Sequence, residues 1–227
     1  MNPASEIASR LDRVKNRIAA ACAEAGRDAG SVELVAVSKG HPADAVEAAH
    51  RAGHFVFGES YAQEFKQKLD SLSHLADLKW HFIGRVQEAN SAAISLAHLV
   101  HGVGSLHQAM ALAKAGIRTG RPVSVLLQVN IENEPTKNGF SSEGLQQNLP
   151  SLRALRGLEL CGLMSMPRSP DVRRAFAEVR RLRDRACPEL PWLSMGMSDD
   201  FEAAILEGAT HVRVGTAIFG PRAQGAG

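Results

Sequence analysis

Seven of the 26 basic residues in this 227-residue chain are lysines. Six of them (15, 66, 68, 79, 114 and 137) fall on helical stretches, loops or the start of a strand, where an ammonium is freely solvated. Lys39 differs. It closes the apolar run VELVAVSK (32–39), so its amine is approached through Val and Leu. Desolvation lowers an ammonium's pKa and makes it the nucleophilic amine that a Schiff base with an aldehyde requires. A lysine snorkelling off a strand end is the plainer alternative.

Two further stretches suit an anion. WLSMGMS (192–198) passes into Asp199, Asp200 and the helical FEAAILEG, and HVRVGTAIFG (211–220) carries Gly215, Thr216 and Ala217. Small residues, the Ser198 hydroxyl and a helix N-terminus together offer N–H donors to a phosphate. An ordinary N-cap at Ser198 and simple turns at the glycines would leave the same trace. In the second stretch, strand alternation puts His211, Arg213, Gly215 and Ala217 on one face. A guanidinium there is costly without an acceptor. Gly215 and Ala217 leave room beside it for something flat, while an ion pair with Glu33 or Glu59 is the competing account. His50 and His54 stand four apart, as helical metal ligands do, but Gly53 lies between them and 54 opens a strand. A solvated helix end explains that pair better.

The elements that must position these groups recur at a regular period. Eight runs rich in Val, Ile, Leu and Phe (32–39, 54–60, 79–84, 99–104, 123–130, 158–166, 192–198 and 211–220) begin about 26 residues apart. Helical stretches at 42–52, 61–72, 105–115, 141–154, 170–186 and 199–208 lie between them. Strands apolar on both faces and alternating with helices predict a parallel α/β fold, and eight units predict a single-domain (β/α)8 barrel spanning about 32–220. An extra amphipathic helix over 3–25, striped by Ile7, Leu11, Val14 and Ile18, precedes it. A doubly wound sheet is the runner-up, but the first turn, SKGHP, lacks the GxGxxG fingerprint. In a barrel, reactive groups gather at the C-terminal ends of the strands. An amine on strand one, an anion cradle after strands seven and eight and a buried arginine then suggest pyridoxal 5′-phosphate (PLP). Lys39 would take the aldehyde, Ser198, Gly215 and Thr216 the phosphate, and Arg213 the ring nitrogen.

Composition narrows the class. The formal net charge is +2 with no basic tracts, which argues against a nucleic-acid partner. The three cysteines, Cys22, Cys161 and Cys187, lack CxxC spacing and fit neither a disulfide scaffold nor a Cys-based zinc site. No uncharged apolar run approaches the roughly 18 residues of a membrane span. The opening MNPASEIASRLDR has charges where a signal peptide has its apolar core. The expectation is a soluble cytoplasmic protein.

AVSKGHP, FGESYAQE, WHFIG, VNIENEPTKNGF, GLMSMP, SMGMSDDFEAAI and VRVGTAIFG, in this order from about Val32 to Gly220, resemble the YggS/PROSC family of PLP homeostasis proteins. The resemblance implies a barrel like the N-terminal domain of alanine racemase (PLP fold type III). It further implies that Lys39 carries PLP as an internal aldimine, that Ser198, Gly215 and Thr216 hold the phosphate, and that Arg213 faces the ring nitrogen. Family members are regarded as carriers or regulators of vitamin B6 supply and of amino-acid and keto-acid balance. The chain departs from the family at Ser60, where FGENY is common, and at Ala89 and Asn90, where the family has NK.

A carrier fits better than a catalyst. PLP enzymes tune the ring through the group at its nitrogen, and arginine does not give up its proton, so the electron sink is weak. A fold type III racemase also needs a second base on the opposite face of the ring. The single tyrosine, Tyr61, and His81 are the candidates, and no second domain is expected beyond Gly220. A weakly active racemase or lyase is the alternative, followed by a PLP-free aldolase-type barrel and a scaffold without cofactor. A monomer is expected, with PLP-dependent apoenzymes as recipients.

Overall fold

Each of the eight apolar runs contains a strand shorter than the run itself. The computed structural model describes residues 3–134 and 137–221. Helix α1 (Pro3–Glu24) is followed by β1 (Glu33–Val37), α2 (Ala43–Arg51), β2 (Val56–Glu59), α3 (Ala62–Ser71) and β3 (Lys79–Phe82). Next come α4 (Ser91–Ile94), β4 (Leu99–Val103), α5 (Leu106–Thr119), β5 (Val123–Gln128), α6 (Ser142–Arg153) and β6 (Leu158–Met164). The last units are α7 (Val172–Ala186), β7 (Trp192–Ser194), α8 (Phe201–Leu206), β8 (His211–Val214) and α9 (Thr216–Phe219). All pairings are parallel, and β1 bonds both β2 and β8, so the sheet closes into a barrel and the open-sheet alternative falls.

Boundaries differ where glycine intervenes. The run 211–220 is not one strand: β8 stops at Val214, and Gly215 begins a helical turn whose Ile218 and Phe219 N–H groups bond its carbonyl. Gly215 and Ala217 therefore do not extend the inward row of His211 and Arg213. The run 32–39 likewise ends as a strand at Val37, and Lys39 sits in the turn beyond it. Helix α4 and the 3-10 turn Glu88–Asn90 before it, which holds Ala89 and Asn90, have no counterpart among the helices expected from sequence.

Two apolar layers result. The larger packs helices on the outside of the sheet through residues such as Phe57, Phe65, Leu127 and Phe176. The smaller, Leu99, Leu126, Cys161 and Met164, is separate from it. Helix α1 buries Ile7, Leu11, Val14 and Ile18, each worth about 1.5–3 kcal/mol of transfer free energy. It packs on α2, α8 and α9, with Arg17 bonded to Glu202 at 2.5 Å and lying 4.5 Å over the Phe201 ring. It thereby covers the region where β8 meets β1, which four-residue α9 is too short to cover. Among the described residues no helix is long and apolar enough to cross a membrane.

Candidate functional site

The residues singled out from sequence lie at the C-terminal ends of three adjacent strands, β7, β8 and β1. Closure makes β8 the neighbour of β1, pairing Val35 with Arg213 and Ala36 with Val214. The turn carrying Lys39 therefore lies beside the start of α9. A Cβ on Gly215 would come within 3.1 Å of the Val37 carbonyl, and the His41 and Phe219 rings stand 5.3 Å apart. Lys39 is half-buried there. The N–H groups of Thr216 and Ala217 open α9 and have no intrahelical acceptor.

The loop after β7 lies on the other side of β8. Gly196 has φ +92, where a Cβ would strike Phe201 and Ala204, and its carbonyl accepts from the Arg213 N–H at 3.0 Å. Asp200 is the N-cap of α8, and its carboxylate accepts from the Met197 N–H at 2.6 Å. Ser198 is thus not the cap that the plainer reading required. Its half-buried hydroxyl lies outside the loop's own hydrogen bonds.

Arg213 is 4% exposed. Its Nη1 donates to the Ser194 hydroxyl at 2.6 Å and its Nη2 to the Ser165 carbonyl at 3.1 Å. Among the described residues no carboxylate lies within 4.0 Å of it. Glu33 faces His211 and His81, and Glu59 faces Lys68, so neither provides the expected ion pair. Burial lowers the guanidinium pKa to about 10, with Asp200 opposing the shift, and the group stays charged at neutral pH. The side chain presents a cation whose immediate partners are all neutral.

One lysine was misjudged from sequence. Lys68 on α3 is buried rather than solvated: its ammonium donates to the Ser38 carbonyl at 2.7 Å, Glu59 at 2.6 Å and Glu64 at 2.8 Å. Glu59 also accepts from the Ser38 hydroxyl at 2.6 Å, and Glu64 from the Gly40 N–H at 2.7 Å. Burial raises the Glu59 pKa against the pull of Lys68, and its Oε2 has no partner. Ser38 and Gly40 flank Lys39, so this cluster braces the lysine's turn from the helix layer. The signal in sequence was the i, i+4 pair Glu64 and Lys68 beside a glutamate ending an apolar strand.

His54 also differs from expectation: it is buried and its Nε2 bonds the Val56 carbonyl, while His50 pairs with Asp77 at 2.9 Å. A cavity of about 310 Å³ opens next to Ser165 and Met197, with Arg85, Lys137 and Arg168 on its walls. A larger one, about 570 Å³, lies at the opposite end of the barrel near Glu33 and Lys79, away from the strand ends that hold Lys39.

A family model described as alanine racemase, N-terminal domain, matches residues 9–223. The pyridoxal phosphate homeostasis protein of Pseudomonas aeruginosa is 44% identical over 229 residues, covering 98% of each chain. That of Aquifex aeolicus is 39% identical over 223 residues, 94% of this chain and 97% of the other. The solved structure of PipY from Synechococcus elongatus with PLP bound aligns with a TM-score of 0.82 at 34% identity, over 94% of this chain and 100% of that one. Alanine racemase from Bartonella henselae shares the fold at a TM-score of 0.71 and 12% identity, over 96% of this chain and 59% of that one. Similar to such relatives along nearly its whole length, the chain belongs to the pyridoxal phosphate homeostasis protein family, built on the barrel of the alanine racemase N-terminal domain.

Proposed function

We propose that this chain binds PLP at the β7–β8–β1 corner and holds it for the cell's vitamin B6 balance. The observation that carries the reading is Arg213, a buried cation with only neutral partners, one strand from the turn of Lys39. A pyridine nitrogen with a free lone pair is the acceptor such a guanidinium can serve. PLP, when bound, supplies an aldehyde for an amine and a ring that withdraws electrons. Lys39 reaches the aldehyde. The Ser198 hydroxyl and the Thr216 and Ala217 N–H groups receive the phosphate, with Gly215 allowing the close approach. Arg213 would donate to the ring nitrogen and so leave it unprotonated, because a guanidinium does not release its proton.

Lys137 is the competing lysine near the mouth. Desolvation alone would lower its pKa, but hydrogen bonds to Glu132 at 2.5 Å and Glu134 at 2.9 Å outweigh it and raise the value. An ammonium held that way is a poor nucleophile. Holding rather than turnover is favoured because the candidate opposed bases are ill placed. His81 is hydrogen-bonded inside the barrel, and Tyr61 is 53% exposed with no side-chain hydrogen bond to orient it. Delivery to PLP-dependent apoenzymes, action as a monomer and a cytoplasmic location complete the proposal. The family membership and the absence of a membrane-spanning helix among the described residues are compatible with all three.

The test is to add PLP to the purified protein, reduce with borohydride and map the modified residue by mass spectrometry. Modification at Lys39, lost in Lys39→Ala with the circular dichroism unchanged, is the expected result. Modification at Lys137 or Lys79 instead, or none, would reject the assignment.

A further inference from the structure

Arg213 is the upper end of a longer line. The Ser194 Oγ that accepts from it lies 2.8 Å from His101 Nδ1, and His101 Nε2 lies 3.1 Å from His81 Nδ1. His81 Nε2 then comes within 4.0 Å of the Glu33 carboxylate, which His211 Nε2 approaches at 3.4 Å. Ser194, His101 and His81 are 1%, 0% and 4% exposed. They sit on β7, β4 and β3, so the His101–Ser194 contact joins strands that are not neighbours and crosses the barrel's interior. Glu33 begins β1, at the end of the barrel opposite Lys39, where it lines the 570 Å³ cavity with its side chain 37% exposed.

The direction of this line follows from its ends. A guanidinium only donates and a carboxylate only accepts. Ser194 receives the Arg213 proton, so its own hydroxyl hydrogen is satisfied only by pointing at His101 Nδ1. His101 must then carry its proton on Nε2 and give it to His81 Nδ1, which puts the His81 proton on Nε2, facing Glu33. The opposite order would leave a buried hydroxyl hydrogen without an acceptor and set the His81 lone pair against the carboxylate. Burial holds both imidazoles neutral, His81 at about 3.

We infer that Ser194, His101 and His81 are positioning residues. They form a one-way hydrogen-bond chain that fixes the Arg213 guanidinium from below and ends at His81, whose Nε2–H faces the Glu33 carboxylate across 4.0 Å at the far mouth of the barrel. Glu33 is then a second and more remote counter-charge beyond Asp200, coupled to Arg213 through the oriented dipoles of the chain, and anything that neutralises it is felt at the cofactor ring. This last consequence rests on the PLP reading; the chain itself does not.

Two measurements separate the two. Nitrogen-15 NMR of the histidine rings, in protein without added PLP, should show His101 and His81 both as neutral Nε2–H tautomers. An Nδ1–H tautomer or an imidazolium at either residue overturns the chain whatever the protein binds. In the second measurement, Ser194→Ala should weaken PLP binding by about five- to tenfold, a typical net hydrogen bond's share, and move the visible absorption maximum of the bound cofactor. Ser194→Thr, which keeps the hydroxyl, should restore both. Glu33→Gln at the far mouth should move the maximum in the same direction with the fold intact, and it serves where Ser194→Ala does not fold. An unchanged maximum and an affinity within twofold for Ser194→Ala, or an unchanged maximum for Glu33→Gln, overturn the inference. Failure of the unaltered protein to take up PLP overturns the functional reading alone.

Discussion

Replacing Lys68 by methionine is the sharpest test of how the Lys39 turn is held. The substitution keeps the volume and deletes an ammonium with three acceptors at 2.6–2.8 Å. Glu59, 0% exposed, would keep only the Ser38 hydroxyl, on an oxygen whose twin already has no partner. Removing one member of a buried ion pair costs about 3–5 kcal/mol. In a chain of this length that is a fall in Tm of roughly 6–20 °C. Urea unfolding followed by circular dichroism measures it directly. Lys68→Met combined with Glu59→Gln should recover at least about 2 kcal/mol, because the amide ends the unpaired charge and still accepts from Ser38. Burial raises the Glu59 pKa, and without Lys68 it rises further, so the single variant's deficit should shrink as the pH falls and Glu59 takes a proton. Since Ser38 and Gly40 flank Lys39, the same variant should slow borohydride-trapped labelling of that lysine. A loss under about 1 kcal/mol, or a double variant no more stable than the single one, would refute the argument.

Other outcomes follow from the same geometry. Burial holds His54 at about 4 and His81 at about 3, below the unfolded value of about 6.5. The unfolded chain therefore binds more protons on acidification, and stability should drop by about 2 kcal/mol per histidine from pH 7.5 to 5; a flat urea profile over that range would contradict it. Ser198→Ala should weaken PLP binding by about 1–2 kcal/mol, seen as a five- to thirtyfold rise in Kd, while pyridoxal without phosphate should be indifferent to it. Arg213→Met should change unfolding free energy by no more than about 1 kcal/mol, since it relieves an unpaired buried charge as it removes two hydrogen bonds, yet lower PLP affinity at least tenfold; a large stability loss would show that the cation serves the fold.

Much of this was legible in sequence because the barrel's period is long and regular. Runs such as VSVLLQVN announce strands buried on both faces, and Lys39 stood out as the one lysine ending such a run. Arg213 was legible for the same reason, as a charge inside an apolar strand. What escaped was anything decided by closure. That Arg213 finds Ser194 and Ser165 rather than Glu33 depends on which inward residues face each other across the interior, and periodicity does not encode that. Lys68 looked like a solvated helical lysine because nothing local reveals that its face meets Glu59. The break at Gly215 was also hidden, since GTAIFG is as apolar as a strand, yet the Gly215 carbonyl accepts from the Ile218 and Phe219 N–H groups in a helical turn.

Helix α1 has a consequence for the order of events in synthesis. Its apolar stripe is made well before α8 and α9, on which it rests. The β1 edge likewise waits for β8. Growing chains must therefore carry an apolar helix covered only by α2, and an unpaired strand edge, until α8, β8 and α9 have left the ribosome. Contacts this distant in sequence make folding slow and the unfinished chain prone to association. Nascent chains stalled before β8 should engage chaperones strongly, and those released just beyond α9 should let go.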